Sequence, residues 1–166
     1  MEKVNAFKEA MANYPTGVTV VTAMDENNTP IGLTVNSFAS VSLDPLLVLW
    51  SIDKRVSTHD TFNEIDQFAI NILGGNQADI ANLFAGSQQD RFGNCEWHQS
   101  VHQLPLIDDA IAKLQCKTFK RVEAGDHMIL IGEIIDIDVE KNVPLLYHGR
   151  KMGALPTAFH EENGGA

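Results

Sequence analysis

With 166 residues, of which 44% are hydrophobic, the chain can bury one sizeable core, so we expect a single domain over residues 1–166. Its 12 basic and 22 acidic residues give a net charge of −10, which argues against a nucleic-acid surface. The sequence has no run of 18 apolar residues and its N-terminus lacks the apolar block of a signal peptide, so we expect no membrane span and a cytoplasmic location. Cys95 and Cys116 are too few for a disulfide framework, and we expect reduced thiols.

The N-terminal part of the chain predicts one helix and one hairpin. Apolar residues recur at helical spacing over residues 3–13, ahead of Pro15, which predicts an amphipathic helix whose apolar stripe needs a partner surface. The strand-like run VTVVTA follows Gly17, and a turn at residues 25–28 connects it to a second strand at residues 31–35.

Residues 34–59, TVNSFASVSLDPLLVLWSIDKRVSTH, combine several features that suit a ligand. Residues 36–42 predict a polar loop rich in hydrogen-bond donors, and the apolar run 46–52 predicts a strand buried on both faces. Charged residues follow this strand, and Ser57 or Thr58 is placed to cap a helix over residues 57–65. A donor-rich loop beside a cationic corner and a helix start suits a planar ligand with a phosphate tail.

The remaining elements predict an antiparallel barrel. We expect a strand at residues 68–73, a helix at 77–85 that stops at Gly86, and an irregular loop at 88–105. Two long strands between residues 111 and 139 are joined by a turn at 124–126, and a last strand, LLYHG, follows Pro144. About seven strands, mostly adjacent in hairpins, and three helices favour a barrel with helices outside it over a doubly wound parallel sheet. The tail EENGGA is expected to be disordered.

Motifs for several common chemistries are missing from the sequence. It contains no GxGxxG after a strand, no GxxxxGK[ST] and no GxSxG, so neither a Rossmann site, a P-loop nor a hydrolase elbow is predicted. The spacing Cys95-x2-His98-x3-His102 could supply three zinc ligands. The alternative is that these are solvated loop histidines, because no fourth ligand is obvious nearby.

Three polar segments have both a structural and a functional interpretation. His127 follows a Gly-Asp turn and is either a turn-flanking residue or an imidazole that binds a carboxamide or transfers a proton. Lys54 and Arg55 form either a solvated turn or an anion site with the neighbouring hydroxyls. Arg91-Phe92 is either a surface charge beside a core aromatic or part of a site. The residues alone therefore predict a small β-barrel with a candidate anion site.

The ordered segments of the chain resemble a known family. The run at residues 34–59 is preceded by YPTGVTVVTA and followed by FAINIL, FAG, DRF, GDH and LLYHG. In this order they resemble the short-chain flavin reductases, the reductase partners of two-component flavin monooxygenases, over residues 5–155. The resemblance implies a mainly β fold with flanking helices, the FMN-binding split barrel, and a homodimer. It also implies that NADH or NADPH reduces FMN or FAD, which leaves for a separate monooxygenase.

The resemblance also assigns roles to residues by position. Contacts to the flavin ring and ribityl chain are implied for Thr34, Val35, Asn36, Ser37 and Ser40. A phosphate-binding corner is implied for Ser51, Lys54, Arg55, Ser57 and Thr58. Positions near the flavin are implied for Arg91 and Phe92, a catalytic position by the nicotinamide for His127, and one near the pyridine nucleotide for Tyr147. No metal ligand is implied.

The chain departs from the family pattern at one segment, and two alternative functions are open. Family members often follow the tyrosine with a glycine, a basic residue and a second aromatic, whereas this chain has Gly149-Arg150-Lys151-Met152. Details of nucleotide stacking are therefore open. One alternative function is an electron carrier or flavin-binding module that holds its flavin tightly. The other is a zinc-stabilised interaction protein built on the Cys95 segment.

Overall fold

The computed structural model describes residues 2–161, so all of the predicted disordered tail except Glu161 lies outside the described residues. Its helices are α1 (Glu2–Ala12), α2 (His59–Glu64) and α3 (Ala78–Ala85), with 3-10 turns at Phe92–Asn94 and Thr157–Phe159. Its strands are β1 (Thr16–Gly17), β2 (Thr19–Met24), β3 (Pro30–Val35), β4 (Ala39–Leu43), β5 (Leu46–Asp53), β6 (Gln67–Ile72), β7 (Trp97–Gln99), β8 (Pro105–Ile107), β9 (Ala112–Ala124), β10 (His127–Val139), β11 (Leu145–His148) and β12 (Lys151–Ala154).

The strands pair in antiparallel fashion, as the sequence predicts. Seven of them form one sheet in the order β3-β2-β6-β9-β10-β5-β4. Because β3, at one edge, lies against β5 near the other, the sheet curls on itself into a barrel. A second sheet has the order β1-β11-β12, and β7 and β8 form a separate hairpin.

The main core fills the barrel with alternate side chains from its strands. Val48, Trp50 and Ile52 of β5 are buried, and the Trp50 ring meets those of Phe62 and Phe68 edge to face at 5.1 and 5.8 Å. Burial of each large apolar side chain contributes about 1.5 to 3 kcal/mol. Phe62 comes from α2, so this short helix is attached to the barrel through its apolar face.

A second apolar cluster attaches α3 to the barrel. Phe84 of α3 is fully buried with Val18, Leu73 and Leu145. The Phe84 ring lies so close to Gly32 of β3 that a Cβ there would be 2.7 Å from Cε1 of the ring. This close approach brings α3 against β3, where both candidate cavities described below are found.

Two segments predicted as loops are partly extended. Residues 36–42 contain the start of β4, which pairs with β5 at the sheet edge. Its side chains are mostly exposed, so its polar sequence is that of an edge strand and lacks apolar alternation. Within the predicted loop 88–105, β7 and the start of β8 form a hairpin, whose strands of three residues are too short to show a period.

Three further expectations need correction. The predicted helix at 57–65 is limited to α2, and its N-cap residue Thr58 makes no side-chain capping bond. The strand β5 is buried on one face and half-buried on the other, because β4 and β10 flank it in a curled sheet. The strand β12 was not predicted. It pairs with β11 across Gly149 and Arg150, which have φ values of +56° and +64°.

The helix α1 forms as predicted but buries none of its residues. Val4, Phe7 and Met11 remain 56%, 65% and 49% exposed, so the apolar stripe has no partner surface within the described chain. Within residues 2–161, no helix is long and apolar enough to cross a membrane.

Candidate functional site

Two cavities lie along β3, one beside α3 and the other beside the segment that follows α3. The first, which we call the Tyr147 cavity, has a volume of about 330 Å³. Its lining includes Thr34, Val35, Asn36, Tyr147, Arg150 and Met152. The second, which we call the Phe92 cavity, has a volume of about 700 Å³. Its lining includes Gly32, Ser57, Thr58, Arg91 and Phe92. Successive parts of one strand therefore line two adjacent spaces.

The end of β3 presents both occupied and available polar groups to the Tyr147 cavity. Thr34 donates from Oγ1 to the carbonyl of Ala81 in α3 at 2.7 Å, and the carbonyl of Val35 accepts from Thr19 Oγ1 at 3.0 Å. The exposed side chain of Asn36 makes no hydrogen bond to residues 2–161, so its amide is available to a ligand.

Ser37 and Ser51 hydrogen-bond to each other, and neither lines the Tyr147 cavity or the Phe92 cavity. The Ser37 hydroxyl donates to the carbonyl of Ser51 at 3.1 Å and accepts from its N–H at 3.0 Å. Ser40 lies on the exposed edge strand β4, opposite Val48. Of the five residues that the resemblance places at the flavin ring, the structure therefore brings Thr34, Val35 and Asn36 to one cavity.

The predicted phosphate corner is divided by the structure. Ser57 and Thr58 line the Phe92 cavity, and the Thr58 hydroxyl oxygen is buried without a hydrogen-bond partner in the described residues. A buried unpaired hydroxyl is costly, so this oxygen fits a ligand contact.

The basic residues of the corner contact carboxylates and line neither cavity. Lys54 pairs with Glu123, and Arg55 Nη2 lies 2.7 Å from Asp53 Oδ2. The hydrogen bonds from Arg55 hold the pKa of Asp53 far below its ordinary value, and the bond from Lys54 lowers the pKa of Glu123. An anion at this corner would therefore compete with carboxylates that are already in place.

Arg91 fixes the wall of the Phe92 cavity by binding backbone carbonyls. Its Nη1 donates to Gly32 and Phe84 at 2.8 and 3.1 Å, and its Nη2 donates to Gly86 at 2.6 Å. The bonds to Phe84 and Gly86 satisfy carbonyls at the end of α3 that have no intrahelical partner, and the bond to Gly32 links them to β3. The Phe92 ring packs edge to face against Phe84, with ring centres 5.0 Å apart. Arg91 and Phe92 thus border the cavity while also holding it together.

His127 starts β10 in an exposed charged turn. Its Nδ1 lies 2.7 Å from Asp126 Oδ1, its side chain is 41% exposed, and its strand partner is Asp53. The hydrogen bond with His127 lowers the pKa of Asp126. His127 lines neither the Tyr147 cavity nor the Phe92 cavity, so one chain does not bring it into the same cavity as Tyr147.

The Cys95 segment does not converge on one point. His98 Nδ1 lies 2.6 Å from Asp108 Oδ1, while His102 Nε2 lies 3.4 Å from Asp136 Oδ2. Burial, together with nearby carboxylates, raises the pKa of the Cys95 thiol to about 11, which disfavours the thiolate that zinc requires. Within residues 2–161, no three His, Cys, Asp or Glu side chains are grouped to hold a metal ion.

The sequence interpretation missed several residues of these cavities. Ala81 and Asn82 of α3, Arg150 and Met152 line the Tyr147 cavity, and Gly32 lines the other. The dipeptide Gly149-Arg150 between two short strand-like segments was the available signal for the β11–β12 hairpin.

Comparison with known proteins identifies the family. A family model described as the flavin reductase like domain matches residues 11–156. The chain belongs to this family. The split-barrel fold that the resemblance implied is thereby confirmed.

Several relatives carry named activities. The chain is 47% identical over 134 residues to the reductase component of the flavin-dependent trigonelline monooxygenase of Acinetobacter baylyi. That match covers 81% of this chain but only 43% of the relative. The chain is also 39% identical over 152 residues to the FMN reductase (NADH) SmoA of Agrobacterium fabrum, with 92% and 86% coverage.

A solved structure has a closely similar fold. It is the Streptomyces globisporus NADH:FAD oxidoreductase SgcE6 in complex with NAD and FAD fragments, with a TM-score of 0.89 and 32% identity. The match covers 96% of both chains. The fold and the family are therefore established over nearly the whole described chain.

Proposed function

We propose that this chain is an NAD(P)H-dependent flavin reductase, which reduces FMN or FAD by hydride transfer and supplies reduced flavin to a separate monooxygenase. The observation that carries the proposal is the arrangement of β3 in a member of this family. One part of the strand lines the Tyr147 cavity and another lines the Phe92 cavity with Ser57 and Thr58. In this proposal the flavin extends along β3 from one cavity to the other, with its ring at Asn36 and its phosphate at Thr58.

The residues of the two cavities fit a flavin chemically. Val35 and Met152 provide apolar wall, and the Asn36 amide provides a donor and an acceptor for the polar edge of the ring. The partnerless Thr58 hydroxyl suits a phosphate oxygen. Flavin and nicotinamide supply the redox chemistry when they are bound. The task of these residues is to orient the two rings and to exclude water from between them.

We assign the reductant to Tyr147 and His127. Tyr147 lines the cavity beside Asn36, which places its ring next to the flavin position. The exposed His127 imidazole is available to bind a carboxamide or hold a proton. Since the two residues line no common cavity in one chain, a complete reductant site would draw one of them from a second copy.

We also propose that the protein is a homodimer. The apolar stripe of α1 and the apolar side chains at the end of β10 are unburied within the described chain, with Ile137 and Val139 44% and 68% exposed. Burial of such faces favours association. Light scattering of the purified protein tests this, and a monomer mass at micromolar concentration would contradict it.

We place the protein in the cytoplasm, because both cysteines are free, as is usual in a reducing compartment. We further propose that residues 1–166 act as one domain. Cell fractionation tests the location, and a single two-state unfolding transition tests the domain assignment.

The decisive experiment is an anaerobic kinetic matrix of FMN and FAD against NADH and NADPH. We expect saturable oxidation of at least one nicotinamide nucleotide that depends on added flavin. Absence of oxidation in all four combinations would refute the reductase. A yellow colour that survives dialysis, with turnover independent of added flavin, would favour the electron carrier instead.

A further inference from the structure

Arg150 is the one charged residue in the lining of the Tyr147 cavity, and no carboxylate lines that space. Within residues 2–161, its guanidinium makes no ion pair and no hydrogen bond, and the residue is exposed. The other candidate cations differ in this respect. Lys54 and Arg55 are paired with carboxylates, and Arg91 is bound to backbone carbonyls. Arg150 is therefore the cation whose full charge is available to a ligand of this cavity.

The backbone at Arg150 is unfavourable for an arginine. Gly149 and Arg150 both have positive φ, at +56° and +64°, the pattern of a type I′ turn, in which Gly, Asn and Asp are preferred. The N–H of Gly149 donates to the carbonyl of Ala12 at 2.9 Å, which attaches the turn to the end of α1. A strained position occupied by a large cationic side chain points to a role for that side chain in ligand binding.

We propose that Arg150 binds the diphosphate of the nicotinamide dinucleotide and sets the affinity for the reductant. This rests on the proposed function, because it takes the Tyr147 cavity as the place where the nicotinamide ring meets the flavin. Tyr147 and Arg150 belong to one hairpin, so a nucleotide whose ring packs near Tyr147 has its diphosphate within reach of Arg150. The flavin phosphate is assigned to the separate Phe92 cavity.

The charge of the chain supports this assignment. With a net charge of −10, the protein repels an anionic nucleotide at long range, so binding needs a local cation. A guanidinium presents paired N–H donors that match two phosphate oxygens, which a lysine ammonium does not do. The exposed position of Arg150 at the cavity rim suits a diphosphate that remains partly in water.

The test compares Arg150→Asn, Arg150→Lys and Lys151→Gln. Asparagine tolerates positive φ, so Arg150→Asn removes the charge without adding strain. We expect it to raise the KM for NADH or NADPH about tenfold or more, since one charge-assisted contact is worth at least that factor. The KM for flavin and the melting temperature should change little, and Arg150→Lys should restore part of the affinity.

Lys151→Gln is the matched control, because it removes the same charge from the adjacent residue, which does not line the cavity. An unchanged nucleotide KM in Arg150→Asn would overturn the proposal. So would a rise in the flavin KM instead, or an equal effect of Lys151→Gln, which would indicate general electrostatics.

Direct titration with NAD⁺ separates this proposal from the proposed function. If the wild-type protein binds NAD⁺ and Arg150→Asn binds it about tenfold more weakly, the role of Arg150 is supported even if the protein fails to turn over flavin. If turnover is normal and the wild type and Arg150→Asn bind NAD⁺ equally, the proposed reductase function is supported and the proposed role of Arg150 is wrong.

Discussion

The hydroxyl of Ser37 replaces the backbone of β4 as the hydrogen-bonding partner of Ser51. The strand β4 pairs with β5 from Ala39 opposite Leu49, so Ser37 occupies the position opposite Ser51, two residues beyond the end of the ladder. There the side chain both donates to and accepts from the Ser51 backbone, at 3.1 and 3.0 Å. This pair joins the two halves of the segment at residues 34–59.

Ser37→Ala should therefore lower stability. It leaves the N–H and C=O of Ser51 without partners at a half-buried site, which costs about 1 to 3 kcal/mol. Urea denaturation measures the free energy of unfolding, and Ser37→Thr, which keeps the hydroxyl, is the control. Equal stability of the alanine variant and the wild type would show that water replaces the hydroxyl.

Gly32→Ala should destabilise the contact between β3 and α3. The added Cβ would lie 2.7 Å from the fully buried Phe84 ring, and overpacking of this kind costs about 1 to 3 kcal/mol. Gly17→Ala is the control, since no atom lies within 4 Å of the Cβ that it would add. In thermal melts, only Gly32→Ala should have a lower melting temperature than the wild type. The double variant Gly32→Ala with Phe84→Leu should recover part of that decrease.

Arg91→Lys should behave like Arg91→Ala. Lysine keeps the charge but cannot donate at the same time to the carbonyls of Gly32, Phe84 and Gly86. We therefore expect the free energy of unfolding to fall by about 1 to 3 kcal/mol in either variant. Both should also bind flavin more weakly, because the wall of the Phe92 cavity loosens. If lysine preserved both stability and flavin affinity, Arg91 would act through its charge alone.

His127→Ala tests the proposed reductant site. We expect the KM for NADH or NADPH to rise about tenfold through loss of a hydrogen bond to the ligand, with flavin binding largely kept. Steady-state kinetics and flavin fluorescence titration measure the two quantities. His160→Ala, at an exposed histidine that bonds to the Leu155 carbonyl, is the control. Unchanged KM and kcat would remove the role of His127.

The charged turn around Asp53 should make the stability of the fold decrease at acidic pH. The folded-state pKa of Asp53 lies far below its ordinary value of 3.8, chiefly because of its hydrogen bonds from Arg55. A depressed pKa stabilises the fold above the unfolded-state pKa, and this contribution declines as the pH falls below about 4. Asp53→Asn should therefore be less stable than wild type at pH 6, with a smaller difference at pH 2. Asp44→Asn, at an exposed carboxylate without an ion pair in the described residues, is the control and should match the stability of the wild type at pH 6.

Elements with a clear period or turn chemistry were predictable from the sequence. The spacing of apolar residues predicts α1 and α3, and the turn at residues 124–126 matches the β9–β10 hairpin, where Gly125 has a φ of +62°. The strand β4 could not be predicted, because an exposed edge strand buries too little to impose apolar alternation. The predicted cap of α2 is absent: Thr58 has a φ of −90° and a ψ of 0°, and its side chain makes no capping hydrogen bond.

The sequence by itself determined the family and the antiparallel barrel, because these depend on local periods and on an ordered set of motifs, and it singled out a minority of the residues that border the two cavities. Only the tertiary structure decided which cations are available to a ligand. Lys54 and Arg55 look free in the sequence, yet strand pairing and local turns place them beside Glu123 and Asp53, whereas the β11–β12 turn places Arg150 in a cavity without a carboxylate. The partner of Lys54 lies 69 residues away along the chain, so the availability of that charge is decided by strand pairing.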